Sequence, residues 1–301
     1  MKDLHEPAGP VLFGYDGSPV GDHALAWAVE EAVLRGVPLV VCHAWHWPYP
    51  FQQHDHQALE LVRGMGDRAV DDGVRRARRL AVGLELRRLV TRGTPAVALL
   101  TAARSASLVV LGSRGSGGFE ALRMGSTAMQ VPAHTDRPVI VVPPVVQVAR
   151  HDGVRIVAGV DGSPASDAAL DFALSEAELR DLPVTAVCSW WDPGALPGPD
   201  HSAFADAELV KRAAKARFEA AVARARSAHP KVYVESRFVV QRPQVALVDI
   251  ARGATLLVVG DRGFGSAPQT LLGDVTRTVL HEAPCPVAIV HAEDRRQNRC
   301  S

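Results

Sequence analysis

The chain has 301 residues, which is long enough for two domains of ordinary size. Its formal net charge is zero and 47% of its residues are hydrophobic, a globular composition that excludes a strongly basic nucleic-acid-binding surface. The apolar runs are shorter than the ~20 residues of a membrane span, and the first residues lack the apolar stretch of a secretory signal. With four cysteines and no C-x-x-C pair, we expect buried reduced thiols and a cytoplasmic location.

Short apolar runs alternate with helix-like patterns through the first half of the chain. Ser18 and Pro19 suit the start of a first helix and Gly36 suits its end. Apolar spacing predicts helices at 19–35, 57–80 and 95–105, and β-branched runs predict strands at 11–15, 39–44, 85–90, 108–111 and 139–142. Helices of the second half are predicted at 165–179, 203–228 and 243–251. Apolar strands that alternate with helices indicate a parallel sheet covered on both faces.

Three sequence blocks of the first half return in the second half in the same order. VLFGYDGSP at 11–19 returns as IVAGVDGSP at 156–164, LVVLGSRGSGG at 108–118 as LLVVGDRGFGS at 256–266, and RPVIVV at 137–142 as CPVAIV at 285–290. Such a repeat predicts an internal duplication, with two domains of the same fold at 1–148 and 154–293 and a boundary near 149–153.

Two loops of the first copy suit an anionic nucleotide. Ligands of open parallel sheets bind beyond the carboxyl ends of the strands, where both loops would lie. The first loop offers the Asp16 carboxylate to ribose hydroxyls or a metal. The second loop reads G-x-x-G, nine residues, G-[ST]; its glycines admit positive φ and close approach, and its hydroxyls and helix amides suit phosphate. Either loop alone is typical of an ordinary turn, but both occur together, twice. The candidates in the second loop are Gly112, Arg114, Gly115, Gly125, Ser126 and Thr127.

The two copies are not equal. Asp274 stands where the pattern requires Ser or Thr, and its carboxylate would repel a phosphate while stabilising the helix that it begins. A magnesium ion could reconcile this carboxylate with a triphosphate. The first copy departs at Pro132, which is expected to break or kink the last helix. We therefore expect two similar folds and one better site. The equivalent candidates in the second copy are Asp161, Gly260, Gly263 and Gly273.

The combination of D-G-S-P with the G-x-x-G, nine residues, G-[ST] pattern resembles the universal stress protein family over nearly the whole chain. The resemblance implies two Rossmann-like α/β domains of the adenine nucleotide alpha hydrolase-like type, each with five parallel strands in the order 3-2-1-4-5. It implies a pseudo-dimer paired through the final strands, 139–142 and 287–290, and is compatible with a homodimer of the whole chain. It also implies ATP binding, with Asp16 facing the adenosine, the backbone near Ala44 facing the adenine, and the glycine loop holding the phosphates.

Three functions stay open. The first is a cytoplasmic, ATP-binding stress or signalling module with at most slow ATP hydrolysis. The second is an enzyme of adenylate-transfer or ATPase type, which would need a base or a lysine near the phosphates. The third is a nucleotide-free interaction protein with decayed sites, which Asp274 supports for the second copy only. None of the lysines falls in a glycine loop, which argues against the enzyme; they are Lys2, Lys211, Lys215 and Lys231.

Overall fold

The computed structural model describes residues 9–47, 56–115, 124–144, 154–191, 207–264 and 271–292. The chain divides into two compact units, Met1–Pro144 (unit 1) and Val145–Ser301 (unit 2). The boundary expected near 149–153, the first residues of the helix expected at 203–228, and Cys300 lie outside the described residues. Within the described ranges, no helix is both long and apolar enough to cross a membrane.

Strands and helices alternate in both units, as the sequence predicts. In unit 1 the elements are β1 (Val11–Gly14), α1 (Pro19–Arg35), β2 (Leu39–Trp45), α2 (His56–Leu80), β3 (Leu86–Arg92), α3 (Pro95–Ala103), β4 (Leu108–Gly112), α4 (Ser126–His134) and β5 (Val139–Val142). In unit 2 they are β6 (Ile156–Gly159), α5 (Pro164–Arg180), β7 (Val184–Trp190), α6 (Ala207–Ala228), β8 (Val234–Val240), α7 (Pro243–Ile250), β9 (Leu256–Gly260), α8 (Asp274–Glu282) and β10 (Val287–Val290).

Each unit builds a parallel sheet of five strands. In unit 1, β1 pairs with β2 and β4, β2 pairs with β3, and β4 pairs with β5, which gives the order β3-β2-β1-β4-β5. Unit 2 repeats this arrangement as β8-β7-β6-β9-β10. Helix α1 packs with α2 and α3 with α4, and the same helix pairs recur in unit 2. The central strands are apolar throughout because helices cover both faces of the sheet.

The first helix of each unit begins as its sequence predicts. The Ser18 hydroxyl accepts a hydrogen bond from the Gly21 amide at 3.1 Å, and Pro19 occupies the first helical position. Gly36 ends α1 in the left-handed region, at φ 64°. Unit 2 ends the equivalent helix with Asp181, at φ 52°, so the same helix end is made there without a glycine.

The sequence predicts that Pro132 breaks or kinks the last helix of unit 1, and the predicted break is wrong. Helix α4 runs for nine residues with Pro132 inside it, and α8, which has Leu280 at that place, is also nine residues long. Pro132 is the seventh residue of α4, so its ring affects one hydrogen bond near the end of a short helix. The buried surroundings of this last turn, which include Val131 and Ala133, keep it helical.

Candidate functional site

The loop that follows β1 places a carboxylate at the carboxyl end of the sheet. Asp16 is half-buried, and its Oδ1 accepts a hydrogen bond from the Ser18 amide at 3.0 Å. Gly17 adopts φ 79°, a conformation that favours glycine and turns the chain sharply into α1. The strand, the turn and the helix start therefore hold this carboxylate in one place.

The second loop of unit 1 comes back to the first. The Gly125 amide donates a hydrogen bond to the Ser113 carbonyl oxygen at 2.7 Å, which joins the two glycine segments of the pattern. A Cβ atom added to Gly115 would lie 2.7 Å from Asp16 Oδ2, so this position requires glycine. The structure thus brings Asp16, the glycine loop and the start of α4 together at one edge, as the sequence predicts.

The glycines of the second loop let neighbouring atoms lie close to the backbone. Gly17 of the first loop uses the positive φ that glycine admits, whereas Gly112, Gly115 and Gly125 lie outside the left-handed region. Gly125 has φ −82° and ψ 156°, the extended conformation of a residue that precedes a helix. Since Gly125 has no side chain to accept hydrogen bonds from the first amides of α4, those amides can bind another acceptor.

The hydroxyl residues of the pattern begin α4. Ser126 is the first residue of the helix and is exposed, and Thr127 is half-buried. Arg114 is half-buried inside the glycine loop. Unpaired amides at a helix start and a positive helix dipole both favour an anion at this place.

A second part of the same edge is formed by the ends of β2 and β3. Ala44 is half-buried and lies opposite Thr91 in the register of these strands. The Trp45 carbonyl oxygen accepts a hydrogen bond from the Gly93 amide at 2.9 Å, and the Arg92 guanidinium lies 5.7 Å from the Trp45 ring centroid. An aromatic and cationic surface therefore borders the position expected for the adenine.

Sequence reasoning missed the residues that hold Tyr15, the neighbour of Asp16 in the chain. The Tyr15 hydroxyl donates to Asp22 Oδ1 at 3.2 Å, and its carbonyl oxygen lies 2.8 Å from His43 Nδ1. Burial, followed by the Asp22 carboxylate, raises the pKa of Tyr15 to about 12. The Tyr15 ring needs Gly73 of α2, where a Cβ atom would lie 2.7 Å from ring carbon Cδ1. The pairing of a tyrosine just after a strand with a glycine on a distant helix leaves no local signal.

Unit 2 repeats the backbone of this site. The Gly273 amide donates to the Asp261 carbonyl oxygen at 2.8 Å, and the Ser163 amide donates to Asp161 Oδ1 at 2.9 Å. Gly263 lies against the Asp161 carboxylate, so a side chain there would clash. Gly260 is equally restricted, because an added Cβ atom would lie 2.9 Å from Ala165. The frame of the site is therefore present in both units.

The charges of unit 2 differ from those of unit 1. Asp274 is the first residue of α8, and its side chain is 97% exposed, with Arg277 Nη1 3.8 Å away. Asp261 is buried, and its Oδ2 lies 3.4 Å from Arg262 Nε. Two carboxylates thus stand on the segments that in unit 1 carry only hydroxyl groups, Ser113 and Ser126.

Comparison with known proteins identifies the family. The model of the universal stress protein family matches residues 8–143 and again residues 154–291. The chain belongs to the universal stress protein family. The predicted duplication is confirmed, because each of the two matches covers one unit of the chain. A universal stress protein of Mycolicibacterium smegmatis is 31% identical over 294 residues, which cover 93% of this chain and 96% of the relative. One of Mycobacterium tuberculosis is 32% identical over 295 residues, with the same two coverages.

Solved structures of the family share the fold. The crystal structure of a universal stress protein from Archaeoglobus fulgidus matches with a TM-score of 0.69 at 18% identity, over 95% of this chain and 97% of that one. A structure from Pseudomonas aeruginosa matches with a TM-score of 0.60 at 15% identity, over 97% and 96%. The predicted α/β fold of a tandem universal stress protein is therefore confirmed.

Proposed function

We propose that unit 1 binds ATP at the carboxyl ends of β1 and β4, and that nucleotide occupancy makes the chain a cytoplasmic stress or signalling module. One observation carries the proposal: the Asp16 carboxylate, the glycine loop and the amide end of α4 meet at one edge. The contact of Gly115 with Asp16 Oδ2 and the hydrogen bond from Gly125 to Ser113 hold them together. A ribose and a phosphate chain need these groups side by side.

Each group suits one part of the nucleotide. The Asp16 carboxylate accepts hydrogen bonds from ribose hydroxyls, and the backbone near Ala44 faces the adenine beside Trp45. The backbone of Gly112 and Gly115, the amides at Gly125, and the hydroxyls of Ser126 and Thr127 surround the phosphates. Arg114 adds charge-assisted hydrogen bonds to a phosphate oxygen.

A magnesium ion would come with the nucleotide. Among the described residues, no group of three or more His, Cys, Asp or Glu side chains could hold a metal on its own. Magnesium commonly keeps several waters and binds substrate phosphates, so we expect the phosphates and water to hold it while Asp16 binds the ribose. The proposed role of the chain's own residues is binding, with no base assigned to a reaction.

The test compares nucleotide binding by the wild-type chain and by Gly115→Ala. A Cβ atom at residue 115 would collide with Asp16 Oδ2, so we expect ATP affinity to fall by more than tenfold. Gly64→Ala is the matched control, because a Cβ atom there lies 3.7 Å from Arg68 in a helix and should leave binding unchanged. Calorimetry measures the affinity, and mass spectrometry of the denatured protein identifies nucleotide that copurifies.

Two results would count against ATP binding by unit 1. One is the absence of any heat of binding at millimolar ATP, with no nucleotide released from the denatured chain. The other is equal affinity in the wild type and in Gly115→Ala, provided that circular dichroism shows both to be folded.

A further inference from the structure

Unit 2 carries a cluster of Asp161, Arg217 and Phe264 at its sheet edge. The Phe264 amide donates to Asp161 Oδ2 at 3.0 Å, which fixes the backbone of the second loop on the first. The Arg217 guanidinium of α6 lies 5.2 Å from the Phe264 ring centroid. A Cβ atom added to Gly162 would lie 3.3 Å from Arg217 Cβ, so the arginine stem runs along the Asp161 turn. A cation, an aromatic ring and a carboxylate thus meet at the place that corresponds to Asp16 in unit 1.

Two members of this cluster are particular to unit 2. Helices α2 and α6 can be aligned by their ion pairs to the first helix, Arg76 with Asp22 at 2.7 Å and Arg224 with Asp167 at 2.8 Å. Seven residues before each arginine stand Ala69 in unit 1 and Arg217 in unit 2. Likewise, the residue after Gly115 in unit 1 is Ser116, and the residue after Gly263 in unit 2 is Phe264. The cation and the aromatic ring that it contacts are therefore both absent from the sequence of unit 1.

In unit 2 the Arg217 guanidinium lies close to Asp161, the carboxylate expected to hold the ribose. The Asp274 carboxylate lies at the start of α8. Asp274 is almost fully exposed where the distal phosphates of a triphosphate would meet the helix. Its carboxylate already interacts favourably with the helix dipole and repels a phosphate chain. A guanidinium that stacks on a ring keeps its N–H donors in its own plane, where they can form two parallel bonds to one phosphate.

We infer that the edge of unit 2 selects a nucleoside monophosphate over a nucleoside triphosphate, with Arg217 binding the single phosphate beside Asp161. The ribose-proximal phosphate meets the guanidinium, while the second and third phosphates of a triphosphate would approach Asp274. This inference rests on the proposed function only in treating the Asp161 edge as a nucleotide site. It makes the two units differ in ligand as well as in affinity.

The experiment uses the full chain with Gly115→Ala, which is expected to weaken the site of unit 1 more than tenfold, and measures AMP, ADP and ATP by calorimetry. We expect AMP to bind roughly tenfold more tightly than ATP, or better. Arg217→Gln should weaken AMP binding by about tenfold, since it removes a charge-assisted hydrogen bond. Lys215→Gln is the matched control: it lies on the same helix, pairs with Glu219 at 3.7 Å, and should leave AMP affinity unchanged.

A second variant tests the selection itself. Asp274→Ser should raise the ATP affinity of the Gly115→Ala chain and leave its AMP affinity unchanged. The inference is overturned if AMP does not bind, if ATP binds as tightly as AMP, or if Arg217→Gln has no effect on AMP binding. The matched variant Gly263→Ala, which removes the site of unit 2, keeps the two proposals apart. If that chain still binds ATP, the proposed function of unit 1 holds whatever unit 2 does.

Discussion

The residue that begins the last helix is one of the differences between the two candidate sites. Gly125 and Gly273 precede α4 and α8 with similar extended backbones, φ −82° and ψ 156° in unit 1 and φ −65° and ψ 157° in unit 2. The next residue is Ser126 in unit 1 and Asp274 in unit 2. A hydroxyl donates to a phosphate oxygen, whereas a carboxylate competes with it for the same helix amides. Under the proposed function, we therefore expect the charge at this position to decide which anion each edge accepts.

Ser126→Asp should convert unit 1 towards the charge pattern of unit 2. We expect ATP affinity to fall by roughly 10- to 100-fold, because like charges ~4 Å apart near a surface repel by up to about 4 kcal/mol. The loss should shrink at high salt, since the position is exposed. Calorimetry at two ionic strengths measures it.

Ser126→Ala is the control for this charge effect, as it removes only the hydroxyl and should cost less than tenfold. The melting temperature of Ser126→Asp without ligand should not fall, because an acidic residue in the first turn stabilises a helix. A large drop in that temperature, or equal losses for both variants, would contradict the electrostatic explanation.

Helix α2 and helix α6 contact their sheets through different pairs of residues. In unit 1 the large ring of Tyr15 lies against Gly73 of α2. Aligned through the arginine pairs, the corresponding residues of unit 2 are Val160 and Ala221, both buried. At these positions unit 2 carries a smaller residue just after its first strand and a larger residue on its helix, and we expect the two to exchange side-chain volume.

Gly73→Ala should destabilise the protein by about 1–3 kcal/mol, since the added methyl overlaps the Tyr15 ring. Adding Tyr15→Val, which reproduces the pair of unit 2, should recover part of that loss even though it removes the bond to Asp22. Urea denaturation of both single variants and the double variant gives the coupling energy. If the two changes prove additive, the volumes are not exchanged between these residues.

The three cysteines in the described part of the chain are buried within the two units. Cys42, Cys188 and Cys285 are free and buried, as the sequence predicts. Burial raises the pKa of each of these thiols to about 12. A thiol in an unfolded chain ionises at about pH 8.5. The folded state therefore holds three protons that the unfolded state releases at alkaline pH.

Stability should decline at alkaline pH for this reason. A raised folded-state pKa contributes stability that is fully present below about pH 8.5 and is lost as the pH rises towards about 12. Urea denaturation between pH 7 and pH 11 should show a constant free energy of unfolding at first and a falling one above about pH 8.5. Tyr15, whose pKa is also about 12, adds to the decline.

Labelling with iodoacetamide tests the burial of the same three thiols. In the native state at pH 8 these three cysteines should stay unmodified, and all should react once guanidinium unfolds the chain. Modification of any of them in the folded protein, located by peptide mass spectrometry, would contradict the burial of its thiol.

The sequence by itself determined the duplication, the alternation of strands and helices, and the ends of the first helix. These features depend on local chemistry: β-branched runs, the Ser18 cap, and Gly36 past the helix end. It also identified Asp16 and the glycine loop, because a repeated motif is visible without coordinates. It failed at Pro132, where the packing of a short helix outweighs the local preference against proline.

Only the tertiary structure decided which distant residues complete each edge. Tyr15 with Gly73, and Arg217 with Phe264, meet across long stretches of chain, so no spacing in the sequence relates them. The structure also shows that Gly115 and Gly263 lie against the aspartate of the first loop, a contact that the sequence pattern does not specify. Local patterns specify elements, but the distances between side chains on different elements follow from how those elements pack.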